Sequence, residues 1–164
     1  MNRVGDNLIH TGSNERLVRA LIDADVRFVV IGGLAVAWYC PRRQADDMDL
    51  LVEPSPENST RIARALSPLV GGQLTNASFA RPGLQVPLKE EFYAELLTPQ
   101  ADGLSFSDVE STSVCAKLFG MPVRLASVEA LLHMKQRAVA AAEAQRVKHE
   151  ADIALIKNMP SIHA

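Results

Sequence analysis

The sequence has few cysteines, few aromatic residues and little net charge, and each shortage argues against a class of protein. Its 164 residues include two cysteines, Cys40 and Cys115, which are too few for a disulfide scaffold. We therefore expect a reducing compartment, and no cysteine or histidine cluster has the spacing of a zinc site. The formal net charge of −2 argues against a general nucleic-acid coat protein, because such proteins are basic. A local basic strip that guides one acceptor remains compatible with this charge.

Long apolar segments are also missing. The longest mostly apolar stretch covers residues 28–40 and is interrupted by Gly32 and Gly33, so it is too short to cross a bilayer. Residues 1–12 lack the apolar run of a secretion signal. We therefore predict a cytoplasmic protein with no membrane partner. The hydrophobic fraction of 48% and the charged fraction of 22% are typical of a globular chain.

Hydrophobic periodicity and turn residues predict an α+β domain. Residues 67–89 are predicted to be mostly loop with one or two short edge strands, and the polar residues 98–113 are predicted to be loop. We predict one domain over residues 1–164, with a core over about 14–125 and a helical C-terminal part over about 127–157. The predicted helices span residues 13–24, 34–39, 55–66, 128–147 and 148–157, and the predicted strands span 27–31, 46–52, 91–97, 114–118 and 121–125.

Gly32 and Gly33 stand between a predicted buried strand and a predicted helix. Glycines let the backbone come close to a ligand, and free N–H groups at a helix start can hold phosphate. Taken alone, the pair favours a tight strand-to-helix turn without a ligand, because two glycines are a weak signal.

Asp47 and Asp49 lie two residues apart in a predicted strand, so their carboxylates share one face of the sheet. Two like charges on one face repel each other unless a cation lies between them. A divalent metal such as Mg²⁺ prefers such oxygen ligands. The alternative is a solvated acidic turn balanced by Arg42 and Arg43. The apolar residues 50–52 weaken that alternative, because they continue the segment as a buried strand.

Glu95 is an acid within the apolar segment 92–97. An ionised carboxylate there is costly unless it is paired or coordinates a metal. On its own it fits an exposed edge or a pair with arginine better than a metal ligand. Together, the glycine pair, the two aspartates and Glu95 form one coherent site in which three carboxylates could bind two Mg²⁺ ions.

Residues 30–35 (VIGGLA) and 43–50 (RQADDMDL) resemble the nucleotidyltransferase superfamily of the DNA polymerase beta type. Within it, the chain is most similar to the small bacterial nucleotidyltransferases grouped with the AbiEii toxins. The resemblance covers about residues 16–156. It implies a palm-like α+β fold, a mixed sheet flanked by helices, with C-terminal helices closing the cleft.

The resemblance also implies roles for individual residues. Gly32 and Gly33 would contact the triphosphate, and Asp47 and Asp49 would be catalytic metal ligands. Glu95 matches the third acidic position of the family. Residues 127–135 resemble the helix that supplies a lysine, Lys135, and residues 146–153 resemble a segment that contains Asp152. Lys135 and Arg43 would neutralise phosphate charge.

The chain departs from the family pattern at three positions. Ala45 replaces the expected threonine, Glu95 replaces a common aspartate, and His149 replaces a frequent aspartate. These changes put the choice of nucleotide and the acceptor site in doubt. Without the resemblance, Lys135 is an ordinary solvated helix lysine, and Arg146 and Lys148 cap the C-terminal end of a helix. Trp38 and Tyr39 are predicted to be core residues, and His133 and His149 are not predicted to be ligands.

The resulting prediction is a Mg²⁺-dependent nucleotidyltransferase, with Mn²⁺ as an alternative metal, that moves a nucleoside monophosphate from an NTP to an acceptor hydroxyl. The resemblance allows RNA such as tRNA, a protein or a small molecule as acceptor, and a cognate toxin or antitoxin as partner. The alternative is a non-catalytic nucleotide-binding or partner-regulating protein that keeps the fold. Binding of NTP that is far stronger with Mg²⁺ than with EDTA distinguishes an enzyme from this alternative, and a plain structural subunit would bind no NTP.

Overall fold

A computed structural model describes residues 14–40, 42–45, 47–70, 79–88, 92–141 and 146–158. These residues form helices and one mixed sheet, which confirms the predicted α+β class. No helix in the described ranges is long and apolar enough to cross a membrane. The helices are α1 (Asn14–Asp23), α2 (Gly32–Tyr39), α3 (Pro56–Val70), α4 (Phe106–Ser111), α5 (Val128–Ala141) and α6 (Arg146–Lys157). The strands are β1 (Phe28–Ile31), β2 (Met48–Val52), β3 (Gln85–Pro87), β4 (Ala94–Leu97), β5 (Val114–Leu118) and β6 (Met121–Leu125).

The described strands form one mixed sheet in the order β3-β4-β2-β1-β6-β5. β1 pairs antiparallel with β2 and parallel with β6, and β2 pairs parallel with β4. β3 pairs antiparallel with β4, and β5 pairs antiparallel with β6, so β3 and β5 are the edge strands of the described sheet. The central strands β1 and β2 are rich in valine and leucine because both faces of this part of the sheet are covered. Val29, Val30, Leu50 and Val52 are fully buried.

Helices cover the sheet with their apolar faces. α1 is amphipathic, and it buries Leu17, Val18 and Leu21 and packs against α3. α2 is apolar on nearly all sides because it contacts β1 and β2 as well as the C-terminal helices α5 and α6. α5 and α6 also pack against each other, so the C-terminal part of the chain lies on α2.

Several predicted boundaries are corrected by the structure. β2 begins at Met48, so Asp47 lies in a bend before the strand, and Asp46 lies outside the described residues. α2 begins at Gly32, directly after β1, rather than at residue 34. α6 begins at Arg146 rather than at residue 148, and residues 142–145 lie outside the described part of the chain.

The prediction of loop over residues 98–113 is wrong, because this segment contains helix α4. Its first turn has a capping box: Ser105 Oγ accepts a hydrogen bond from Asp108 N–H, and the Asp108 carboxylate accepts one from Ser105 N–H. Arg27 anchors the helix from outside, since its guanidinium lies 5.6 Å from the centre of the Phe106 ring and pairs with Glu110.

Candidate active site

The register of the sheet brings two of the predicted acids side by side. Asp49 on β2 is the direct partner of Glu95 on the parallel strand β4, and Ile31 at the end of β1 is the partner of Asp49 on the other side. Asp47 lies two residues before Asp49, so all three acids lie at one end of the central strands. They line a cleft of about 730 Å³, together with Gly32 and Lys135.

Gly32 connects β1 to α2 at the wall of this cleft, and two observations require glycine there. Its φ is +69°, a left-handed conformation that residues with a side chain rarely adopt. A Cβ at this position would overlap Asp49 Oδ2 and would lie 3.0 Å from the Cβ of Asp49. The carboxylate of Asp49 therefore packs directly on the glycine at the start of α2, where backbone N–H groups are available to an anion.

Gly33 and Arg43 lie against each other. A Cβ on Gly33 would lie 2.7 Å from Arg43 Nη2, so the guanidinium lies against this glycine. Neither residue is among those that line the cleft, although Gly32 is. The phosphate contacts of Gly33 and Arg43 stay predictions.

Asp152 links the loop that carries Arg43 to the C-terminal helices. Its Oδ1 lies 2.7 Å from Arg43 Nε, and its Oδ2 lies 3.3 Å from Arg43 Nη2 and 3.0 Å from Lys135 Nζ. Burial raises the pKa of the Asp152 carboxyl. The hydrogen bond from Arg43 and the charge of Lys135 lower it by more, so this pKa lies below its ordinary value. Asp152 is therefore an anion at neutral pH.

Lys135 lies in α5 with only 6% of its surface exposed, so the interpretation as a solvated helix lysine is wrong. Its Nζ also lies 3.3 Å from Nδ1 of His149, a residue of α6 that lines the cleft. Arg146 is the first described residue of α6, and the alternative that Arg146 and Lys148 cap the C-terminal end of a helix stays a prediction, because residues 142–145 and these two side chains lie outside what the structure describes.

Sequence reasoning did not find two further charged residues that line the cleft. Asp102 in the loop after β4 and Arg137 on α5 both line it, and Asp102 Oδ1 lies 2.7 Å from Arg137 Nη2. His133 lines the cleft as well. Asp102 and Arg137 are far apart in the sequence and carry no local motif, so only the packing of α5 reveals them.

The three acids have the donor chemistry that Mg²⁺ prefers, because every side-chain ligand would be a carboxylate oxygen. In the described ranges, no three histidine, cysteine or acidic side chains are grouped so that they could hold a metal ion. The register of β2 and β4 makes Asp49 and Glu95 neighbours, and Asp47 lies two residues before Asp49.

No protein-family model matches the chain, and no curated protein matches its sequence. Solved structures do share its architecture. One is an antigenic nucleotidyltransferase-like protein from Paracoccidioides brasiliensis, with 14% identity and a TM-score of 0.51 over 89% of this chain and 77% of that one. Another is ANT(2")-Ia in complex with adenylyl-2"-tobramycin, with 18% identity and a TM-score of 0.54 over 87% of this chain and 84% of that one.

The fold is nucleotidyltransferase-like. This confirms the predicted architecture, a mixed sheet with flanking and C-terminal helices. At such low identity the likeness shows the fold alone, so the activity of this chain is argued from its cleft. The closer kinship with the AbiEii group stays a prediction.

Proposed function

We propose that this protein is a Mg²⁺-dependent nucleotidyltransferase that moves a nucleoside monophosphate from an NTP to an acceptor hydroxyl and releases pyrophosphate. One observation carries the proposal. Asp49 and Glu95 are register partners near the start of two parallel strands, next to Gly32, in a nucleotidyltransferase-like fold. Buried strands rarely carry two neighbouring carboxylates unless a cation or a reaction needs them.

In this proposal Asp47 and Asp49 would hold the metal, and Glu95 would be a further ligand on the acceptor side, which requires the three carboxylates to come closer together than they lie in the described structure. When bound, Mg²⁺ neutralises phosphate charge and polarises the reacting phosphoryl group. Gly32 would bring the backbone N–H groups at the start of α2 close to the triphosphate, and Lys135 would add a positive charge to the same cleft. Each of these groups lines the same cleft.

The reaction forms one bond and breaks one bond at the α-phosphorus. The acceptor oxygen attacks the α-phosphorus, and the bond from this phosphorus to the oxygen bridging to the β-phosphorus breaks. Pyrophosphate leaves with the bridging oxygen. The proton of the acceptor hydroxyl passes to the carboxylate of Glu95, which faces Asp49 across the strand pair.

The acceptor is a small molecule, a protein or an RNA end. The cleft wall beyond Glu95 carries Asp102, and the cation there, Arg137, already pairs with Asp102. Asp102 and Arg137 thus form a neutral ion pair in the cleft, which does not discriminate between these acceptors. The ANT(2")-Ia structure contains adenylyl-2"-tobramycin, an adenylylated small molecule, which supports a small-molecule acceptor. A toxin–antitoxin role remains one of the arrangements in which a protein or RNA acceptor is used.

The test is transfer from α-labelled NTPs in the presence of Mg²⁺, with total RNA, cell extract or aminoglycosides as acceptors. Asp49→Asn is expected to lower the rate by about two orders of magnitude or more. A lost charge at the reacting phosphate is worth several kcal/mol, and about 1.4 kcal/mol corresponds to a factor of ten. The matched control is Asp23→Asn, an exposed acid at the end of α1, which is expected to keep full activity.

Two results would contradict the proposal. Full transfer activity in a folded Asp49→Asn protein would exclude the role of this carboxylate. Binding of NTP that is equal with Mg²⁺ and with EDTA, without transfer to any acceptor, would favour the non-catalytic nucleotide-binding alternative. Label recovered in the RNA, protein or small-molecule fraction identifies the acceptor class.

A further inference from the structure

Four polar side chains from three segments meet beside the cleft, and we refer to Arg43, Lys135, His149 and Asp152 as the Asp152 cluster. Arg43 comes from the loop between α2 and β2, Lys135 from α5, and the other two from α6. Asp152 is 1% exposed and contacts both cations, at 2.7 Å from Arg43 and 3.0 Å from Lys135. One carboxylate therefore connects the C-terminal helices to the loop that leads into the acidic strand β2.

Lys135 and His149 are the members of this cluster that line the cleft. A positive charge held at the wall of a cleft attracts a ligand phosphate. The cluster therefore offers the ammonium group of Lys135 to a phosphate group in the cleft.

The contacts also fix where the two cations stand. A lysine side chain has several rotatable bonds and ordinarily samples many conformations, but Lys135 is held by Asp152 and by Nδ1 of His149. Arg43 uses two nitrogens on Asp152 and places its guanidinium against Gly33. Gly33 follows the left-handed Gly32, so the same carboxylate supports both the basic wall and the glycine wall of the cleft.

We infer that Asp152 is a positioning residue. It holds Lys135 toward a phosphate group in the cleft and holds Arg43 against the glycine turn. The inference deepens the proposed function and rests on it, because it names the group that orients the phosphate-binding side. Charge alone gives the opposite expectation, since removal of an anion near the cleft would strengthen the binding of a negative ligand. The sign of the effect therefore separates positioning from simple electrostatics.

The experiment is a double-mutant cycle on the binding of tripolyphosphate in the presence of Mg²⁺, measured by calorimetry on the full chain. Lys135→Gln and Asp152→Asn are each expected to weaken binding about tenfold, because both remove the same oriented charge-assisted contact. The double variant is expected to bind no more weakly than Lys135→Gln, because Asp152 acts through Lys135. The control Glu150→Gln removes an exposed carboxylate from the same helix and is expected to change binding less than twofold.

Three outcomes would overturn the inference: tighter binding by Asp152→Asn, strictly additive losses in the double variant, or no binding of tripolyphosphate by the unaltered protein. If Asp152→Asn does not fold, Asp152→Glu keeps the charge and moves it by one methylene group. That variant is expected to fold and to bind at least about threefold more weakly, and unchanged binding would overturn the inference.

The transfer assay keeps the two proposals apart. Coupled losses of tripolyphosphate binding without any nucleotidyl transfer would leave Asp152 as a positioning residue and would contradict the proposed reaction. Active transfer with additive binding losses would contradict the role of Asp152 and would leave the reaction in place.

Discussion

At the scale of single residues, Gly32 and Asp49 determine each other's geometry. The backbone of Gly32 is left-handed, and the space where its side chain would stand is filled by the Asp49 carboxylate. Gly32→Ala is therefore expected to destabilise the fold by about 1–2 kcal/mol from backbone strain and to displace Asp49 as well. The expected result is a lower unfolding midpoint together with loss of nucleotidyl transfer.

Gly120 provides the matched control for this substitution. Its φ is +80°, but nothing lies within 4 Å of a Cβ built there. Gly120→Ala is expected to show a similar loss of stability with transfer unchanged, because it adds strain without touching the cleft. Equal transfer rates in the two alanine variants would show that the packing of Asp49 on Gly32 has no part in the reaction.

The sequence analysis identified the three acidic residues of the candidate site, but it did not predict which side chains lie next to each other. The spacing of two between Asp47 and Asp49 and the apolar surroundings of Glu95 are local signals, and the structure places all three acids in one cleft. The pairing of Asp49 with Glu95 depends on which strands become neighbours, and no local pattern reports this. The buried contact between Lys135 and Asp152 is likewise visible only once α5 and α6 have packed.

At the scale of elements, α4 is a short helix that the sequence analysis does not predict. The helix has only six residues, and its capping box uses Asp108 where glutamate or glutamine is usual, so the polar segment was predicted to be loop. Ser105→Ala removes the cap and is expected to cost about 1 kcal/mol of stability. Chemical denaturation measures this loss.

Ser107 is the control for the cap, because it is an exposed serine inside the same helix. Alanine forms helices better than serine, so Ser107→Ala is expected to leave the stability unchanged or slightly higher. An equal loss in both variants would mean that the capping hydrogen bonds do not stabilise α4.

At the scale of the whole molecule, we propose that the core and the C-terminal helices unfold together. Trp38, the single tryptophan, lies on α2, which contacts both α5 and α6. Unfolding followed by tryptophan fluorescence and by far-ultraviolet circular dichroism is therefore expected to give coincident transitions. A separate circular dichroism transition with unchanged fluorescence would show that the C-terminal helices form an independent unit.

The architecture could be predicted from the sequence, whereas the strand order could not. Periodicity and the resemblance to nucleotidyltransferases indicated the α+β class and a mixed sheet flanked by helices. The position of β4 next to β2 results from a long crossover that includes α3, and such nonlocal pairing leaves little trace in a single sequence. The same crossover sets Glu95 opposite Asp49, so the candidate site depends on it.

The wide separation of the cleft residues along the chain has a consequence during synthesis. Gly32, Asp47, Asp49 and Glu95 leave the ribosome well before Lys135, and Asp152 follows last. Domains generally fold as units. During synthesis the emerging chain already contains β2 and β4, but it still lacks α6, whose Asp152 pairs with Arg43. We expect the nascent protein to have no activity until residue 152 has been added and α6 has packed against α5.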